Sequence, residues 1–126
     1  MKFKKEINQS FNFLGRKRIK QKEELFSAKT LERVDQDVKI QFNYDFNAIY
    51  SSVSIDPKII NSELVLDVFV LGNLTRISLE KSQNTTDYII SDVPNGSNLE
   101  LRLKIISVDE NEPGRIFAAT ANKMSL

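Results

Sequence analysis

The chain has 126 residues, 40% of them hydrophobic and 28% charged, with a formal net charge of +1 and neither cysteine, histidine nor tryptophan. That length suits one domain whose core holds without metal or disulfide staples, and the composition is too apolar for general disorder. The absent residue types exclude disulfides, thiolate nucleophiles, Ser-His-Asp and Cys-His catalysis, and the commonest metal ligand.

The charge is unevenly placed. Residues 1–34 hold ten Lys/Arg against four Asp/Glu, and residues 35–126 hold eight against thirteen, so a basic head precedes a mildly acidic body. The opening stretch MKFKKEINQSFNF begins with cations but lacks the hydrophobic run of a signal peptide, since Glu6, Asn8, Gln9 and Ser10 interrupt it. With no cysteine and no window of eighteen apolar residues, the expectation is a cytoplasmic protein without a membrane span. Residues 1–22 are then a basic N-terminal segment on a single domain spanning 1–126.

Within that segment, NFLGRKRIKQK places five cations in the seven positions 16–22. Side chains alternate along an extended chain, so Arg16, Arg18, Lys20 and Lys22 would form one row with a pitch of about 6.6 Å. Such a row suits a phosphate chain or a line of carboxylates, with Arg16 and Arg18 able to make bidentate contacts. It equally suits an edge strand that repels pairing with other chains. In a helix the same residues would scatter.

Residues 22–34, KEELFSAKTLERV, are ambiguous. Leu25, Ala28 and Leu31 approach helical spacing among good helix formers, which gives a short amphipathic helix near residues 22–33, while a strand over 24–31 fits nearly as well. Residues 37–46 alternate strictly, with Val38, Ile40, Phe42, Tyr44 and Phe46 against Lys39, Gln41, Asn43 and Asp45, which predicts a half-buried strand whose aromatics are core. After a turn near Asn47, a second strand is expected over 49–55, closed by Asp56-Pro57.

Residues 64–71, LVLDVFVL, are apolar on both faces except at Asp67. Leu64, Leu66, Val68 and Val70 supply a core face, which leaves Val65, Phe69 and Leu71 beside Asp67 on the other. Either another segment such as 22–34 covers that face, or it is an exposed apolar patch of the kind that contacts a protein partner, with Phe69 as anchor. Gly72-Asn73 marks a tight hairpin into residues 74–80. Strands follow over TTDYIISDV and NLELRLKIISV, separated by Pro94-Asn95-Gly96, and Asn111-Glu112-Pro113-Gly114 reverses the chain into residues 115–121.

Six to eight short strands with turn residues between them predict an all-β domain, an antiparallel two-sheet β-sandwich of immunoglobulin-like or C2-like type, with an OB-like small barrel as the alternative. No phosphate-binding glycine motif is present, since Gly15, Gly72, Gly96 and Gly114 each stand alone. Asp35, Asp37, Asp92, Asp109, Glu110 and Glu112 sit in turns without the spacing of a calcium loop. The chain therefore predicts no enzyme, no catalytic residues, no cofactor and no metal.

The expected function is a non-catalytic interaction module, an accessory or adaptor subunit of a larger intracellular assembly. It would hold a protein partner through the basic segment and the apolar sheet face. A nucleic-acid-binding protein using the Arg16–Lys22 row is one alternative, and a sandwich that binds a sugar or another small ligand is the other.

Overall fold

The computed structural model of the protein describes residues 2–3, 9–10, 25–56 and 61–126. Two antiparallel sheets pack face to face in a β-sandwich. One sheet contains β1 (Lys2–Phe3), β2 (Gln9–Ser10), β3 (Phe26–Val34), β4 (Asp37–Tyr44) and β7 (Thr85–Ile90). The other runs in the order β6 (Asn73–Ser78), β5 (Ser62–Val70), β8 (Asn98–Ser107) and β9 (Ile116–Ser125). Neither sheet closes on itself, so the barrel alternative does not apply.

The chain changes sheet between β4 and β5, again between β6 and β7, and again between β7 and β8. The order β3-β4-β7 facing β6-β5-β8-β9 matches the immunoglobulin-like lettering A-B-E against C′-C-F-G. Of the two sandwich types expected, this is the immunoglobulin-like one in strand order.

The core follows from period-two alternation. Val38, Ile40 and Phe42 of β4 are fully buried and face Leu64, Leu66, Leu101, Leu103 and Ile105 from the opposite sheet. Phe26 and Phe42 stack with ring centroids 6.3 Å apart. Each fully buried side chain of this size contributes about 1.5–3 kcal/mol. At one side, Tyr88 of β7 donates to Thr75 Oγ1 of β6 at 3.2 Å, which ties the edges of the two sheets together.

Two sequence expectations are corrected. The helix near residues 22–33 does not form where it is described; Phe26–Val34 is strand β3, the extended alternative. Pairing with β4 along its whole length overrides the helical propensity of the Glu and Lys residues. The strand expected over 49–55 is instead helix α1, Phe46–Ser52. Asp45 caps it by accepting a hydrogen bond from Ala48 N at 3.0 Å, and Phe46 stacks on Tyr50 one turn later with centroids 4.6 Å apart. Ile49, Tyr50 and Val53 then enter the core at helical spacing.

The hairpin after β5 forms, but its turn is Leu71-Gly72, since Val70 pairs with Asn73. Both turn residues have positive φ, 53° and 79°, as a type I′ turn requires.

Candidate functional site: the outer face of the four-stranded sheet

The register places residues of β6, β5, β8 and β9 in three ranks across the outer face. The first is Leu74, Phe69, Glu100 and Lys123; the second is Arg76, Asp67, Arg102 and Ala121; the third is Ser78, Val65, Lys104 and Ala119. Four cations stand there against Asp67 and Glu100, and Glu63, next along β5 on the same side, accepts a hydrogen bond from Ser78, so the positive surplus is one.

Asp67 is the centre of this face, and its side chain is 1% exposed. Arg76 donates to it twice in parallel, from Nε to Oδ1 at 2.8 Å and from Nη2 to Oδ2 at 3.0 Å. Lys104 Nζ lies 2.9 Å from Oδ2. Burial by itself pushes the carboxyl up, but the hydrogen bonds from Arg76 and Lys104 and their positive charges outweigh it, so Asp67 titrates below the usual carboxylate range. Arg102 is turned the other way along β8 and donates from Nε to Glu100 Oε1 at 2.5 Å.

This arrangement settles what lies outside the sheet. Val65 is fully buried and does not belong to an exposed patch. Its neighbours in the rank are Ser78 and the half-buried Lys104, whose aliphatic stem covers apolar surface while its ammonium reaches Asp67. Strand β3 lies in the opposite sheet, so residues 26–34 are not the cover.

Phe69 and Leu71 are exposed, at 41% and 55%, and Leu74 joins them at 60%. Phe69 and Leu74 are direct cross-strand partners, and Leu71 continues the patch into the turn. Beside them a groove of about 350 Å³ is lined by Phe69, Leu71, Asn98, Leu99, Glu100 and Lys123. The exposed face is thus an apolar corner bordered by Lys123 and by Arg76, Arg102 and Lys104, whose carboxylate partners sit in the same plane.

Sequence reasoning found Phe69 and Leu71 but missed Leu74, Arg76, Arg102 and Lys104. For Leu74 and Arg76 the signal was the hairpin register: once the turn is Leu71-Gly72, Leu74 falls opposite Phe69 and Arg76 opposite Asp67, whereas Arg102 and Lys104 depend on the pairing of β5 with β8. Arg16, Arg18, Lys20 and Lys22 lie outside the described residues. Among the described residues no group of three or more acidic side chains could hold a metal. Asp37 and Asp92 do meet, through a hydrogen bond from Asp92 N to Asp37 Oδ1 at 3.3 Å.

Comparison with family models, with curated proteins and with solved structures returns no match. The functional reading therefore rests on this face and on the fold alone. Among the described residues no helix is long and apolar enough to cross a membrane.

Proposed function

We propose that the domain is a non-catalytic interaction module, an accessory or adaptor subunit of a cytoplasmic assembly, and that the outer face of the four-stranded sheet is its contact. The observation that carries this reading is the contiguous exposure of Phe69, Leu71 and Leu74 beside a groove, next to four cations and three carboxylates. An apolar cluster rimmed by charge is the usual anatomy of a protein contact.

The partner that fits is a protein surface with one bulky apolar side chain flanked by carboxylates. The apolar group enters the groove beside Phe69 and Leu71, and the carboxylates meet Arg76, Arg102 and Lys123. Aromatic and arginine side chains carry most of the energy in such contacts. The basic N-terminal segment would add attraction for the same acidic partner at long range.

A photo-crosslinking residue at Leu74, introduced in the native host, tests the reading. One discrete adduct is expected, and Phe69→Asp should remove it while the circular-dichroism spectrum stays that of the parent. An adduct pattern unchanged by Phe69→Asp overturns the assignment of this face.

A further inference from the structure

At the opposite sheet an open cleft of about 580 Å³ lies where β4 ends, α1 begins and residues 81–84 turn. Its walls include Ser27, Asn43, Asn47, Lys81, Gln83 and Asn84, with Tyr44 and Phe46 behind them. The volume is that of a small-ligand site, but the lining is polar where most such sites are apolar.

Two of the polar side chains around the cleft already have structural tasks. Asp45 caps α1, and the Tyr44 hydroxyl donates to the Glu80 carbonyl at 2.9 Å. Burial pushes the Tyr44 phenol above its usual pKa, so it remains a neutral donor. The backbone of this loop is also spent, with Tyr44 N donating to Asn84 O at 2.9 Å. The side chains of Asn43, Asn47, Gln83 and Asn84 make no hydrogen bond among the described residues, nor does the Ser82 hydroxyl.

The cleft is therefore lined by four primary amides without a partner among the described residues, the half-buried Asn43 and the exposed Asn47, Gln83 and Asn84, on a strand end, a helix start and a short loop. We infer that this cleft binds a neutral sugar of one or two rings. Each amide presents a donor and an acceptor side by side in one plane, which matches adjacent hydroxyls that each donate and accept. An anion site would gather cations, whereas this lining holds one, Lys81, together with the Asp45 carboxylate. A nucleobase would need a slot between two accessible rings, whereas Tyr44 is 5% exposed and only Phe46 is partly open. Phe46 is braced from behind by its stack on Tyr50, which gives the apolar face of a sugar ring a rigid wall.

Side-chain amide resonances read this directly. The protein is titrated in parallel with the methyl glycosides of glucose, galactose, mannose and N-acetylglucosamine, with lactose, with adenosine and with inorganic phosphate. At least one sugar should produce saturable shifts at Asn43, Asn47, Gln83 and Asn84, with a dissociation constant on the order of millimolar. The pair Asn43→Ala with Gln83→Ala should weaken it about tenfold or more, and so should Asn47→Ala with Asn84→Ala, which guards against misfolding of either. Leu74→Asp should leave sugar binding unchanged, so this site stands or falls apart from the sheet-face contact. Silence with every sugar, saturation by adenosine or phosphate instead, or affinity unchanged in both double variants overturns the inference.

Discussion

Asp67 and Arg76 face each other across β5 and β6 in a two-point contact, Nε to Oδ1 at 2.8 Å and Nη2 to Oδ2 at 3.0 Å, on the side of the sheet that points away from the core. The carboxylate is almost wholly buried although nothing of the second sheet covers it. Among the described residues, the side chains bound to it on that face are the cations Arg76 and Lys104. A central strand with apolar residues on both faces thus receives one charge, and that charge organises the side chains that shield the strand from water.

Removing that charge should cost more than removing either cation. Asp67→Ala leaves the 16%-exposed Lys104 ammonium without its carboxylate, and a loss of about 2–4 kcal/mol is expected by urea denaturation. Arg76 is 47% exposed and water can replace its partner, so Arg76→Ala should cost about 1–2 kcal/mol. The reverse order would show that the pair is ordinary surface decoration.

Acid should act through the same residue. The Asp67 carboxyl ionises below its ordinary 3.8 in the fold, so between the two values the unfolded chain binds more protons than the native one. Its contribution is fully present above the unfolded value and fades as pH falls through the folded one. Denaturation midpoints measured from about pH 6 down to about pH 2 should fall, and Asp67→Asn should flatten part of that fall. An identical pH slope in parent and variant would mean that other carboxylates carry all of it.

The turn of the same hairpin offers a gain. Leu71 sits at φ 53°, a left-handed conformation that costs a side chain bearing a Cβ about 1–2 kcal/mol, while its exposure means that little packing holds it there. Leu71→Asn should raise stability by about 0.5–1 kcal/mol in a thermal melt. Gly72→Ala should lower it by about 1 kcal/mol through backbone strain alone, because no atom lies within 4 Å of the added methyl.

These residues also show how far the sequence could be read. Strict alternation in residues 37–46 announced β4, and Val38, Ile40, Phe42 and Tyr44 are all core, but the strand ends at Tyr44 and the half-buried Phe46 opens α1 instead. The hairpin after β5 was equally plain, yet placing its turn at Gly72-Asn73 instead of Leu71-Gly72 moves every cross-strand partner by two positions. Asp67 then meets Ser78 in place of Arg76, and the charged centre of the face disappears from view. A leucine at positive φ gave no local signal for the true turn. In α1 the signal existed and was outweighed: Phe46, Ile49, Tyr50 and Val53 have helical spacing, but Ile49, Val53 and Ile55 also fall on one side of a strand. The cleft over Asn43 and Asn84 was invisible for a different reason, since it depends on which loop lies beside the end of β4.

At the end of the sandwich where β3 turns into β4, a bulge decides which residue enters. Thr30 pairs with Ile40 and Glu32 with Lys39, so Leu31 is the extra residue, and Arg33 falls opposite Val38 on the core side. Arg33 is 5% exposed; its Nη2 donates to the Val93 carbonyl, while Nη1 and the neighbouring Thr30 Oγ1 are buried and have no hydrogen-bond partner among the described residues. The loop it reaches is held independently, by Val93 N donating to Gln36 O at 2.6 Å. Arg33 therefore contributes volume at this end more than net hydrogen bonding, because a buried guanidinium with one bond recovers only part of its lost hydration. Arg33→Met keeps most of the volume and removes the charge, and its unfolding free energy should stay within about 1 kcal/mol of the parent. Arg33→Ala removes both and should lose about 2–4 kcal/mol. If methionine proved as damaging as alanine in urea denaturation, the charge and not the packing would be what holds β3 to the loop after β7.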